Sequence, residues 1–569
     1  MFSLIKKTEK QTAGAPDDTA SAAAIRNAGL ASLLAYALFC LLALFVPGAD
    51  RSWFPPYIAL PVSAEDSSGL LVVGVLVLAC ALSLFFLFFY SLGRTRVTLP
   101  PSDGHQDSAA RTALLFAAAF NILMIAFPTL LSTDLFDYVR HGRIFAVYGE
   151  NPMTVPAIYF QHDPFFNLGG WVSTGSVYGP LHAYVSGGLA LLSGDGVGAS
   201  FFVFKTFYIA VNLVNLLLVG RIADRLSPGS RTRAIVFYGW NPFIVIMVAA
   251  NGHNDILMLA FVLAAVLCYL DRRLMLGVLC LTLATLVKFI TLPLLVLYVA
   301  LMLRQEQGLL RKVRAALLAA GIAVATTLVS YIPFWEGRDT FDYLTRVGNK
   351  TGFTIASLAS GFVRDALGMP RGATVVLLAL PLVAYIAWKM LKVRDLDDYI
   401  YAAAVISVFV PLIMFWFQPW YIVLALGLVA LRPRGPLFAT MLVFSASVIF
   451  FDNFWWQSPM RMDMQKLIRV MIVFGPPLMV FAVLKLRHGI PAAWQRFAAW
   501  SLEEPGIAGR VRDAGVAAPG QLTATRMALE ATAMAVAVAV PAAVVVASSG
   551  QLRSLADLLL VKLRLLLPF

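Results

Sequence analysis

The sequence predicts an all-α polytopic membrane protein of about 13–15 transmembrane helices, with a large outward-facing loop after the third span. Three observations carry that expectation. Hydrophobic residues make up 60% of the 569-residue chain and charged residues 13%, about half the charged share of an ordinary globular domain. Apolar runs long enough to cross roughly 30 Å of hydrocarbon as helices recur from Ala31 to Ala547. The runs are continuous, without the in-and-out alternation of a strand, which excludes a closed β-barrel.

Taken in order, residues 1–28 read as a polar, Ala-rich cytoplasmic tail with Lys6, Lys7 and Lys10. The first span, Leu30–Val46, follows without a small-residue cleavage site and reads as a retained anchor. Spans are then expected at Leu70–Tyr90, Thr112–Leu131, Phe201–Val219, Ala234–Ala250 and Ile256–Leu270. Leu274–Val287 and Ile290–Leu303 are each short for a crossing, and they suggest one broken pair around Lys288 and Pro293. Ala315–Phe334, Ala373–Trp388, Tyr399–Phe415, Tyr421–Leu431, Pro436–Phe451, Ile468–Leu484 and Ala528–Val546 complete the series. The resulting division is a tail over 1–28, the main transmembrane domain over 29–487, a cytoplasmic interfacial linker over 488–525, and a last span with an amphipathic tail over 526–569. Trp494, Phe497 and Trp500 at helical spacing motivate the linker assignment.

Positive charge sets the orientation, because basic loops stay in the cytoplasm. Alternate loops carry Arg94/Arg96/Arg111, Arg221/Arg225/Arg231/Arg233, Arg272/Arg273, Arg304/Arg311/Lys312/Arg314, Lys389/Lys392/Arg394 and Arg432/Arg434. The N-terminus is therefore expected in the cytoplasm, and the intervening loops outside an inner (plasma) membrane. The net charge of +13 is explained by this topology; no basic patch with interleaved aromatics speaks for nucleic acid. Cys40, Cys80, Cys268 and Cys280 all lie in apolar runs, where a thiol behaves as a small hydrophobe, and suggest no disulfide.

Four polar stretches fall on the outward side: "STDLFDYVRHGRIFAVYGENP" from Ser132, the turn "NGHND" from Asn251, "FWFQPWY" from Phe415 and "FDNFWWQSPMRMD" from Phe451. Their agreement points to one outward site. Carboxylates just past a span can simply mark its end at water, but Asp134 and Asp137 stand with Tyr138, Arg140, His141 and Arg143, and lead into a long loop that holds Tyr178. Loops of that length are usually functional, and a carboxylate there can be tuned toward neutral pH to serve as a general base. His253, Asn254 and Asp255 form a grouping suited to hydroxyls and phosphate, without a third ligand at zinc spacing. Lys288 between apolar half-spans is an intramembrane charge, a functional hypothesis by default. Gln418, Trp420 and Tyr421 combine a membrane aromatic belt with rings suited to sugar faces. Arg338, Arg346, Lys350 and Arg364 break the charge rule on the outer side, where pairing with an anionic headgroup would explain them.

The first stretch, followed by "VYGPL", "NPFIVIMVAANGHND" and "QPWY", resembles the polytopic glycosyltransferases of the GT-C superfamily over roughly Thr112–Leu431. It is most similar to the polyprenol-phosphomannose-dependent α-mannosyltransferases that build lipomannan-type cell-envelope glycans. The resemblance implies Asp134 as the catalytic acidic residue of the outer loop, a polyprenyl-phosphate sugar donor in place of a nucleotide sugar, and a glycan or glycolipid acceptor. The sequence departs from the pattern at Met153, where an aromatic is common after Asn-Pro, and at Asp137. Asp137, Tyr138, Arg140, Arg143, Tyr178, His253, Asn254, Asp255, Lys288, Arg346, Gln418, Trp420 and Tyr421 are then the expected substrate-binding residues. Arg140, Arg143, Lys288 and Arg346 are expected to face the displaced phosphate, with His253 as a relay. No metal is needed, while the pair Asp134 and Asp137 leaves a divalent cation open. A transporter or flippase of lipid-linked saccharides would share the spans and outer cations, and an internal repeat would favour it; none is evident.

Overall fold

The computed structural model describes residues 18–43, 67–95, 105–127, 132–341, 352, 354–368, 371–450 and 462–502. Every regular element among them is helical. The helices are α1 (Asp18–Ala43), α2 (Ser67–Arg94), α3 (His105–Leu123), α4 (Asp134–Ala146), α5 (Pro180–Ser193), α6 (Val197–Leu226), α7 (Arg231–Gly239), α8 (Asp255–Leu270) and α9 (Leu274–Val287). They continue with α10 (Leu292–Gln305), α11 (Leu309–Tyr331), α12 (Ile355–Leu367), α13 (Arg371–Lys392), α14 (Leu396–Ile413), α15 (Val423–Ala430), α16 (Pro436–Ser447) and α17 (Met462–Leu502). Seven of the described helices are long and apolar enough to cross a membrane, eight if one bent pair counts as a span, and five further apolar helices are shorter. The protein is thus an all-α polytopic membrane protein.

The segment after the third span is more ordered than its polarity suggests. Asp134 and Asp137 occupy the first turn of α4, where carboxylates complement the helix dipole. Every residue from Asp134 to Ile144 is buried. Helix α4 packs on α5, and the contact depends on Gly142, where a Cβ would strike the backbone carbonyl of Ser186. The expected open loop therefore begins as a buried helix, because its charges are satisfied by partners inside the protein.

Two expected spans are interrupted for local reasons. Residues expected as one helix over Ala234–Ala250 divide into α7 and a π-helical stretch, Phe243–Ala249, bent by 50°. Pro242 lacks the amide a continuous helix needs, and the Asn241 side chain accepts the Phe243 amide at 3.1 Å. Helix α9 stops at Lys288, which is extended, and a single 3-10 turn, Phe289–Thr291, leads into α10. Farther on, α17 runs through residue 487 to Leu502, so the boundary expected there falls inside a helix.

The core is a continuous apolar mass centred on α6, α7, α8, α9, α15 and the π-helical stretch. Two of the large polar side chains inside it are paired: Trp240 Nε1 donates to Ala113 O at 2.8 Å, and Tyr238 OH donates to Asn212 Oδ1 at 2.7 Å. The basic loops meet one another. Arg233 donates to Pro433 O and Thr95 O, Arg432 to Leu226 O, Arg434 pairs with Ser227, and Arg225 with Asp271. Residues near 95, 225–233, 271 and 432–434 therefore share one end of the bundle, and their guanidiniums satisfy carbonyls at helix ends.

Candidate active site

A cavity of about 590 Å³, its open mouth included, lies against α4. Asp134, Asp137 and His141 line it from one face of α4, at i, i+3 and i+7. Trp171, Thr174, Gly175, Val177 and Tyr178 contribute from the loop between α4 and α5. Trp416, Gln418, Trp420 and Tyr421 close the opposite wall.

Each wall is held by its own set of contacts. Asp137 pairs with Arg140 and accepts the backbone amides of Gly170 at 3.3 Å and Trp171 at 3.2 Å. Arg140 also donates to Phe166 O at 2.9 Å. Arg143 bridges Asp163 at 2.7 Å and Asp195 at 2.8 Å. Three side chains on α4 thus fasten the loop that carries Trp171, and Gly169 leaves the room they need: a Cβ there would meet both Arg140 and Asp137. Trp171 then meets Trp416 edge to face at 5.9 Å.

The polar turn Asn251–Asp255 is buried behind the cavity. Gly252, at φ +68°, sits where a Cβ would press within 2.7 Å of Leu135 in α4, and only glycine adopts that backbone freely. This close approach sets His253 beside Asp134, with Nδ1 3.8 Å from Oδ2. The imidazole stacks on Trp420, with centroids 3.8 Å apart and planes at 20°. The Asn254 side chain meets His182 Nδ1 at 3.2 Å. Asp255 accepts from Lys288 Nζ at 2.7 Å, and the ammonium lies over the rings of Tyr178 at 5.2 Å and Tyr421 at 5.5 Å. Both rings line the cavity, so Lys288 stands just behind its wall.

The electrostatics separate the groups of α4. Asp134 is 9% exposed. Burial raises its pKa to about 7, aided by the charges of Asp137 and Asp255, while Lys288 and Ser132 pull it down. His141 is pushed down to about 3, first by burial and then by Arg140, and is neutral at physiological pH. The site thus presents a carboxylate whose pKa is raised to about 7, a neutral imidazole and several aromatic faces, with the Lys288–Asp255 pair behind its wall.

Of the residues expected from the sequence, Asp134, Asp137, Tyr178, Gln418, Trp420 and Tyr421 line this cavity. Tyr138 is wholly buried behind it, its ring edge-on to Tyr178 at 5.3 Å. The remaining expected residues stand apart from the cavity or are engaged by protein groups. Arg140 pairs with Asp137 and donates to Phe166 O, and Arg143 bridges Asp163 and Asp195, so both bind internal groups. Asn254 and Asp255 sit behind the wall, bonded to His182 and Lys288. Asp137 is engaged by a guanidinium and two amides, and no group of three or more His, Cys, Asp or Glu among the described residues is placed to hold a metal. Arg346 and most of "FDNFWWQSPMRMD" lie outside the described residues. Sequence reasoning passed over Trp171, Thr174, Trp416 and the buried His182. Trp171 sits in the long aromatic loop between α4 and α5, but nothing local marks which of its rings turns inward.

The chain is similar to known mannosyltransferases. Residues 26–304 match the family described as "Alpha-(1->6)-mannopyranosyltransferase, N-terminal domain". A Mycolicibacterium smegmatis protein described as a probable α-(1→6)-mannopyranosyltransferase is 29% identical over 189 residues, 32% of this chain and 31% of that protein. The α-(1→6)-mannopyranosyltransferase A of Corynebacterium glutamicum is 28% identical over 237 residues, 38% of this chain and 46% of its own length. The protein of the same name from Mycobacterium tuberculosis is 23% identical over 392 residues, 64% of this chain and 72% of its own length. The first two alignments span less than half of those relatives. The resemblance to membrane α-mannosyltransferases drawn from the motifs therefore stands, and the family match contains Asp134, Tyr178, His253 and Lys288.

Proposed function

We propose that this chain, similar along residues 26–304 to α-(1→6)-mannopyranosyltransferases, is a membrane glycosyltransferase that moves mannose from a polyprenyl-phosphate donor to a glycan or glycolipid acceptor. The work is done at the outer face of the plasma membrane, with the N-terminus in the cytoplasm. Asp134 takes the proton of an acceptor hydroxyl, which attacks the anomeric carbon as the lipid phosphate leaves, with inversion. The observation that carries this reading is the placement of Asp134, a buried carboxylate with a pKa raised to about 7, in the wall of an aromatic-lined cavity. A general base works best when its pKa lies near the operating pH.

The other groups follow from the charge that develops. A departing phosphate carries its charge stably and needs no strong acid; a fixed cation nearby stabilises it. Lys288 supports that role through its position over Tyr178 and Tyr421. Trp171, Trp416 and Trp420 offer flat faces to the apolar side of a pyranose. Asp137 and Arg140 act at one remove by holding the Trp171 loop. The meeting of the basic loops at one end supports the topology.

The test is purified protein with synthetic polyprenyl-phosphate mannose and a mannoside acceptor, wild type against Asp134→Asn. Transfer by the wild type and a loss of at least about 100-fold in the variant is expected. Equal transfer by a folded variant removes Asp134 from the mechanism.

A further inference from the structure

His253, expected from the sequence as a relay, is a buried imidazole to which the proposed function assigns no step. It is 0% exposed, yet neither ring nitrogen has a hydrogen-bond partner. Buried polar groups almost always have one, and an exception asks for a functional or structural cause. The ring is not loosely placed, since the Gly252 turn and the Trp420 stack fix it on two sides. Nδ1 is 3.8 Å from Asp134 Oδ2, and a shift of roughly 1 Å brings them within hydrogen-bond length. Catalytic hydrogen bonds often tighten in this way once substrate is bound.

We propose that His253 is the proton-accepting partner of Asp134, relieving the carboxyl group of the acceptor's proton as the glycosidic bond forms. The inference rests on the reading of Asp134 as the base. In the step, the acceptor oxygen bonds to the anomeric carbon, and the bond from that carbon to the phosphate oxygen breaks, its electron pair leaving with the phosphate. The hydroxyl proton passes to Asp134 and then to His253 Nδ1, which gives an imidazolium and restores the carboxylate. Charge favours the order of events. The donor phosphodiester carries one negative charge and the released monoester nearly two at neutral pH, so an anionic charge arises in the cavity as the imidazolium forms.

The groups around the pair set its balance. Asp137 and His141 face the cavity from α4 itself, and Tyr178 and Tyr421 from the walls. Asp255 stands at the head of α8 and Lys288 at the break after α9. Burial first and Lys288 second hold the His253 imidazole well below its ordinary proton affinity, so it takes the proton only while the anion that forms in the cavity offsets both. His253 acts through Asp134 without touching substrate, which explains a buried position behind the wall.

The experiment uses the full chain in detergent with polyprenyl-phosphate mannose and a mannoside acceptor, comparing wild type with His253→Phe and His253→Gln. Phe keeps a ring on Trp420 but has no nitrogen; Gln keeps polarity but takes up no proton. Both are expected to lower kcat by about 10- to 100-fold, leave the donor KM within about twofold, and alter the acid limb of the pH–rate profile. Wild-type kcat in either variant, or an unchanged pH profile, overturns the proposal, and if His253→Phe fails to fold, His253→Gln decides by the same criteria. A second readout needs no turnover. An imidazolium stacked on indole quenches its fluorescence, so the signal lost in Trp420→Phe is followed against pH. Its midpoint is expected to fall in Asp134→Asn, because the anion that favours the imidazolium is gone. An identical midpoint, or no titration, overturns the coupling. A wild type that transfers no mannose refutes the reading of the reaction, and the fluorescence result then decides the coupling by itself.

Discussion

Replacing Lys288 by Met would strand Asp255, whose side chain is only 3% exposed, without its cation. At the observed 2.7 Å, two unit charges in an effective dielectric of about 20 attract by about 6 kcal/mol. Much of that is offset by the solvation both groups give up, and breaking such a buried pair from one side typically costs about 3–5 kcal/mol. The 13% exposure of the lysine side chain places this pair near about 3 kcal/mol. Asp255→Asn should cost less, about 1–2 kcal/mol, because Lys288 keeps the faces of Tyr178 and Tyr421. The double variant should then be more stable than the sum of the singles predicts, with a coupling of about 2 kcal/mol. Equilibrium unfolding in mixed micelles, followed by tryptophan fluorescence, measures all four corners of the cycle, and the donor KM should rise in Lys288→Met. Additivity within about 0.5 kcal/mol would refute the pair, and an unchanged KM would remove Lys288 from the phosphate.

Three further outcomes are expected. The raised pKa of Asp134, about 7 against about 3.9 unfolded, makes activity rise with pH through about 7 as the carboxylate forms. For stability the sign is opposite: the buried acid is best tolerated protonated, so its contribution is fully present below about pH 4 and is lost as pH climbs through about 7. Asp134→Asn should therefore be inactive yet more stable than wild type at pH 8, by on the order of 2–4 kcal/mol, with no gain at pH 4; unfolding at both values checks this. Gly142→Ala forces a methyl into the Ser186 carbonyl, should destabilise the α4–α5 contact by about 2–3 kcal/mol, and should lower activity by displacing Asp134; wild-type melting and turnover would contradict that packing.

Much of the architecture was legible in the chain because hydrophobic runs report burial in lipid directly. The break at Lys288 was also legible, since a charge followed by Pro293 interrupts a short apolar run. The bend at Pro242 was not read, although the proline is plain, because the flanking residues remain continuously apolar and the run looked like one span. Asp134 was marked by its neighbours and by the resemblance those residues carry. The aromatic wall was read in part: Trp420 and Tyr421 stood out in "QPWY", while Trp171, fastened by Asp137 through its backbone amide, leaves no trace in side-chain pattern.

By itself the sequence determined an all-helical membrane protein, the stretches that concentrate its polar groups, and the acid on which the proposed chemistry depends. The first two follow from composition and spacing, which act along the chain, and the acid from the resemblance its motif carries. Only the tertiary structure decided which polar groups face the cavity and which serve each other. Arg140, Arg143 and Asp255 look from the sequence like groups awaiting a ligand, and in the fold they are already paired. The physical reason is that a charge removed from water must find a partner, and whether that partner is a ligand or another side chain depends on neighbours brought from distant parts of the chain.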